Sequence, residues 1–227
     1  MNTRKRIASW LAVFVVIAAA AVAGEAPRQG DQAGERPSPE ERAKLAKASA
    51  PLAAKAIAQY VELSAEEAKK FCDAYVAESE AAQKRVAEAR EAGGGEQMMT
   101  VFRENSEKMQ KLLEANLKPE QAKKAGAVLG RFNALDRSIQ SLLQAKVEAA
   151  KVEKALPVLV KYAVAQQELM GKMEPGSGPS EELRAKLTEL REKTAKELAP
   201  IVGEEAAAAF QRSAGMRGGG GPRGGGQ

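Results

Sequence analysis

Apolar positions recur every three to four residues through most of the chain, and no stretch alternates apolar with polar residues as a half-buried strand would. The pattern predicts an all-α fold of long amphipathic helices joined in helical hairpins. Ser38-Pro39-Glu40-Glu41 opens the first helix, with Ser38 as N-cap, Pro39 at the first helical position and Glu41 closing a capping box. Pro51 is expected to interrupt it, leaving a second segment from Leu52 to Glu62. Leu63-Ser64-Ala65-Glu66-Glu67 carries another capping box. The helix it starts is expected to run to about Ala92, with Phe71, Cys72, Tyr75, Val76, Ser79 and Val86 on one stripe, and Gly93-Gly94-Gly95 ends it.

A third pattern, Gln97 to Asn116, turns Phe102, Met109, Leu113 and the following Leu117 inward. Leu117-Lys118-Pro119-Glu120-Gln121 restarts the helix. Val128, Phe132, Leu135, Ile139 and Leu142 then follow at spacings of four, three, four and three, a short coiled-coil seam. Pro157 is expected to kink or break this helix. Glu174-Pro175-Gly176-Ser177-Gly178-Pro179 reads as a loop. Ser180 caps a further helix with Leu183, Leu187, Leu190 and Leu198 on one face. Pro200 and Gly203 are expected to interrupt that helix before Glu204 to Arg212 finishes the fold.

The ends have a different character. Met1 to Arg6 carries Arg4, Lys5 and Arg6 and no acid; Ile7 to Ala23 is uncharged and closes with Ala21-Val22-Ala23. A basic start, an apolar run and a small-x-small site make an export signal. Seventeen uncharged residues also approach a membrane span, so an uncleaved anchor is the competing reading. The A-x-A site favours cleavage and a periplasmic or otherwise exported location. The resulting organisation is a signal peptide at 1–23, a flexible linker at 24–37, an all-helical domain at 38–214 and a Gly-rich tail at 215–227.

This reading changes the charge picture. The chain has 35 Lys+Arg and 30 Asp+Glu; without Arg4, Lys5 and Arg6 it has 32 against 30, a net charge of +2. A balanced surface does not predict nucleic-acid binding, and Arg217-Gly218 and Arg223-Gly224 are too few for an RGG segment. There is no His, which removes the commonest general base and the commonest metal ligand. Cys72 is the one cysteine, so no internal disulfide forms. It reads as a small buried hydrophobe, with an intermolecular disulfide as the alternative in an oxidising compartment. Aromatics are 4% of the chain and alanine is abundant, so the predicted grooves between helices are shallow.

Two halves recur along the chain. Gly93-Gly94-Gly95 and Gly176-Ser177-Gly178 lie 83 residues apart, and Glu107-Lys108, Lys111 and Leu113 return as Glu192-Lys193, Lys196 and Leu198, offset by 85. Leu117-Lys118-Pro119-Glu120-Gln121-Ala122 meets Ile201-Val202-Gly203-Glu204-Glu205-Ala206, offset by 84. The pattern suggests a duplicated unit, with repeats at 63–135 and 139–212.

The restarts at Leu63-Ser64-Ala65-Glu66-Glu67 and Leu117-Lys118-Pro119-Glu120-Gln121 resemble the L-T-x-x-Q motif of the Spy/CpxP family. The first copy has Ser64 for Thr and Glu67 for Gln; the second keeps Gln121 and has Lys118 at the cap; Ile201 to Glu205 keeps neither. The resemblance implies an exported, all-helical, ATP-independent chaperone or envelope-stress accessory protein that acts on unfolded proteins. It also implies a cradle-shaped homodimer, although a duplication would let one chain supply both halves. Candidate apolar contributors are Met98, Met99, Val101 and Phe102, which also suit a core. Met98-Met99, Met109, Met170 and Met173 could form soft ligands or adaptable binding surface; Met109 suits core filling better, and Met98-Met99, just after the glycine loop, are expected to be exposed.

Three function classes follow: a holdase for unfolded proteins, a helical module for one dedicated envelope partner, and, third, a heavy-metal sensor or resistance factor. No Ser-Lys or carboxylate pair sits in a nucleophile or phosphate-binding context. The sequence therefore predicts no enzyme and assigns no catalytic, cofactor-binding or metal-ligating residue.

Overall fold

Ser38 sets the first helix as the sequence predicts. Its hydroxyl accepts from the Glu41 N–H at 3.2 Å, and its own N–H donates to the Glu41 carboxylate at 2.7 Å. The computed structural model describes residues 38–93, 95–130, 133–171, 173 and 179–214. The signal, linker and tail assignments, the seam residue Phe132 and the glycine loop at 176–178 lie outside the described residues. Among those described there are eight helices and no strand: α1 (Pro39–Tyr60), α2 (Ala65–Glu91), α3 (Gly95–Asn116), α4 (Pro119–Leu129), α5 (Ala134–Gln144), α6 (Ala149–Met170), α7 (Glu181–Val202) and α8 (Glu204–Ala214). The fold is all-α.

The chain divides into two compact units at Gly126/Ala127. The first contains α1, α2, α3 and the start of α4; the second contains α5 to α8. The division differs from the repeats read along the sequence, because α1 packs on α2 while α5 packs on α6 and α8.

In the first unit α2 packs on both α1 and α3. Ala53, Ala54 and Ile57 of α1 and Phe71 and Tyr75 of α2 are buried, the two rings 5.9 Å apart. In the second unit α6 and α7 pair, and α8 folds back on α5 and α7. Its core is richer: Leu135, Ile139, Leu142, Leu156, Leu159, Leu187, Leu198 and Phe210 are all buried, and Tyr162 meets Phe210 edge-on at 5.1 Å. Each such side chain contributes about 1.5–3 kcal/mol through burial.

The breaks expected at three prolines are absent, whereas the interruption expected at Gly203 is present, between α7 and α8. Pro51, Pro157 and Pro200 lie inside α1, α6 and α7. All three are exposed, and so are Lys47, Glu153 and Lys196, whose carbonyls each proline deprives of an i+4 donor. Each helix continues through its proline, which sits on an exposed side. The expected continuous helix from Pro119 to Pro157 is instead three helices. Gly130, at φ +51°, closes α4, and a Cβ there would lie 2.7 Å from Gln167 Oε1. Asn133 enters α5 from the left-handed region. Phe102, expected inward, is 39% exposed, whereas Leu113 and Leu117 are buried.

The two units end their first helices alike. Leu63 N–H donates to the Ala58 carbonyl and Glu62 N–H to that of Gln59, the double bond of a Schellman cap. Val147 to Leu142 and Lys146 to Leu143 repeat it 84 residues on. The residues in left-handed conformation are Glu62, at φ 58°, and Lys146, at φ 59°. Helices α3 and α7 are both 22 residues long, and α4 and α8 are both 11. The restarts match at offset 85, because Ala122 N–H bonds the Lys118 carbonyl and Ala207 N–H that of Gly203. Lys118 thus corresponds to Gly203 and Gln121 to Ala206.

Candidate functional site

The α2–α3 hairpin ends in a tight turn. Ala92 N–H returns to the Glu88 carbonyl at 3.1 Å, and Gly93, at φ +76°, reverses the chain with its N–H on Arg90 at 3.1 Å. A β-carbon in that conformation would be strained, so glycine suits the position.

A polar clamp holds the two helices about two to three turns below. Arg85 Nε donates to Asn105 Oδ1 at 2.7 Å, and Arg85 Nη2 pairs with the Glu78 carboxylate. Asn105 Nδ2 donates to the Ala82 carbonyl at 3.4 Å. The Arg85 and Glu78 side chains are only 19% and 21% exposed. Pairing in this half-buried setting fixes the guanidinium and occupies two of its donors.

Beside the clamp the hairpin opens into a groove of about 560 Å³. Ala89, Ala92 and Val101 supply its apolar floor. Glu88, Glu96 and Glu104 line it together with Gln97, Thr100 and the clamped Arg85. Its apolar lining side chains are small, two alanines and one valine. Of the four apolar residues singled out in the sequence, Val101 lines the groove. Met98 and Met99 are half-buried, and Phe102 is exposed outside the lining. Arg85 and Asn105 escaped sequence reasoning. The available signal was their position: each is polar on an otherwise apolar stripe, Asn105 between Met98 and Met109 at helical spacing.

At the opposite end of the same hairpin the L-x-x-x-Q residues do structural work. Ser64 and Glu67 form the full capping box. Those contacts with the Ser64 N–H and hydroxyl hold the Glu67 carboxyl below its ordinary range, helped by Lys118 and Lys70. Leu117 is buried, and Lys118 N–H donates to Gln121 Oε1 at 3.1 Å, half of a capping box. Gln121 Nε2 then donates to the Val61 carbonyl at 3.1 Å, tying the α3–α4 turn to the α1–α2 turn. In the second unit Ala206 stands at the corresponding place. A smaller crevice of about 320 Å³ there is lined by Lys146, Glu148, Lys151, Glu204 and Glu205 among others.

Cys72 is half-buried, and burial together with Asp73 pushes its thiol up, so it stays protonated at neutral pH. Met170 is buried in the second unit, and Met109 and Met173 are half-buried. Among the described residues no three His, Cys, Asp or Glu side chains are gathered as a metal site, and no helix is long and apolar enough to cross a membrane. Comparison with family models, with characterised proteins and with solved structures gives no match.

Proposed function

We propose that this chain is an exported, ATP-independent holdase that binds unfolded segments of other proteins in the cell envelope. The observation that carries the reading is the open α2–α3 groove, whose lining combines small apolar side chains with charged ones. Such a surface attracts a chain through charge and holds it through modest apolar contact. A floor of two alanines and one valine offers little area, so binding is weak and a bound client is released without nucleotide. The exposed Phe102 on the same hairpin adds apolar surface outside the groove. The resemblance of the Leu63 and Leu117 restarts to the Spy/CpxP motif supports the same reading.

The chain is further read as a duplicated unit. The equal lengths of α3 and α7 and of α4 and α8, and the Schellman caps recurring at offset 84, support this. On that reading one polypeptide carries two helical-hairpin units and needs no partner copy to complete them. Neither unit is assigned a catalytic role.

The test is light scattering of several chemically denatured, unrelated proteins diluted into buffer with the purified chain and no nucleotide. Suppressed aggregation of several clients is expected. Activity toward a single protein would assign the chain instead to one dedicated envelope partner. A melting temperature raised by zinc, copper or nickel would favour a metal sensor.

A further inference from the structure

We infer that the α2–α3 groove selects cationic, amphipathic segments, so that Lys- and Arg-rich stretches of unfolded proteins are its preferred occupants. The inference rests on the holdase reading and names the client chemistry.

The charge of the lining points one way. Glu88, Glu96 and Glu104 face the groove, and the one lining cation, Arg85, is turned to Glu78 and Asn105. Glu96 lies in the first turn of α3, where the helix dipole offsets part of its charge; Glu88 and Glu104 lie away from that end. Lys84 approaches Glu88 at 3.9 Å, an exposed contact that water and salt largely screen. Glu88 lies on α2 and Glu96 and Glu104 on α3, so a cationic segment in the groove would meet carboxylates from both helices.

The floor suits the same occupant. Ala89, Ala92 and Val101 give an apolar surface of small side chains. Lys and Arg side chains lay their methylene stems along such surfaces while their charged heads reach outward. Here the heads would meet Glu88 and Glu104. An acidic segment meets like charge. Because the chain as a whole carries 35 bases and 30 acids, this preference is local to the groove rather than a property of net charge.

The experiment uses the purified chain and two labelled peptides of equal length and equal Ala/Leu content. One has Lys and the other Glu at every polar position. Fluorescence anisotropy at low salt is expected to give about tenfold tighter binding of the Lys peptide, a preference that shrinks at about 0.15 M salt. Glu88→Gln with Glu104→Gln should abolish most of the preference. The control pair Glu107→Gln with Glu120→Gln, exposed and outside the groove lining, should leave it intact. Equal affinity for the two peptides would overturn the inference, as would equal losses in both double variants. So would self-association of the wild-type chain that Glu88→Gln with Glu104→Gln abolishes, because it would give the groove to a second copy. The underlying reading fails separately, if the wild-type chain suppresses aggregation of no client. If suppression of a basic client is unchanged by Glu88→Gln with Glu104→Gln, the groove assignment fails and the holdase reading stands.

Discussion

Replacing Gln121 by Ala removes two hydrogen bonds of 3.1 Å, one from the Lys118 N–H and one to the Val61 carbonyl. Their effects separate. Lys118 is exposed, so its freed N–H finds water and the loss lies near the low end of the usual range, about 0.5 kcal/mol. The bond to Val61 joins positions 60 residues apart, beside a buried Val61 side chain, and its loss costs about 1–1.5 kcal/mol. Gln121→Ala should therefore destabilise by about 1.5–2 kcal/mol, a fall in Tm of about 3–8 °C for a chain of this size. Gln121→Glu keeps the acceptor for Lys118, gains from the N-terminus of α4, and loses the donor to Val61. It should fall between Ala and wild type. Urea unfolding followed by far-UV circular dichroism, with unchanged m-values, reads all three. An Ala variant within about 0.3 kcal/mol of wild type would refute the tie between the two turns. A Glu variant as stable as wild type would show that the bond to Val61 contributes no more than the carboxylate gains at the N-terminus of α4.

Phe210→Ala should destabilise the second unit by about 3–5 kcal/mol, because the ring is fully buried against Tyr162; a loss below about 1 kcal/mol in denaturant titration would contradict that packing. The Glu41 and Glu67 carboxyls lie below their ordinary value through the N–H and hydroxyl groups of Ser38 and Ser64. Their stabilising contribution is therefore full above the unfolded carboxylate range and disappears as pH falls through the lower folded values. Glu67→Gln should flatten that acid loss in a pH series of melts, and an unchanged slope would count against the capping box. Pro157→Ala should stabilise by about 1–3 kcal/mol, since the ring is exposed inside α6 and alanine is the better residue in a helix interior. A lower Tm would mean that α6 needs the bend a proline imposes.

Local chemistry made much of the fold legible. Ser38, Ser64 and Ser180 cap helices as their sequence contexts predict, and the side-chain bonds are present in each case. The three prolines misled because a proline's cost depends on whether the freed carbonyl meets water, and sequence pattern does not state which face is wet. The predicted seam is buried at Val128, Leu135, Ile139 and Leu142, yet it does not lie on one helix. Its spacing is helical, but Gly130 and Asn133 adopt left-handed conformations that end one helix and begin another. The returning glutamine was readable as a capping side chain; its bond to Val61 is tertiary and crosses 60 residues, beyond any local pattern. At the groove, Val101 was among the residues singled out. The acidic walls were not, because Glu88, Glu96 and Glu104 look like any solvated helix face until the hairpin brings them together.

The most direct measurement of the proposed activity is the aggregation rate of a denatured basic client against molar ratio, for wild type and for Val101→Lys. That substitution places a charge on the groove floor, and circular dichroism verifies that the helices remain. The account predicts suppression by wild type near stoichiometric ratio and a marked loss in the variant. Absence of suppression by wild type at several-fold excess, or equal suppression by the folded variant, would contradict it.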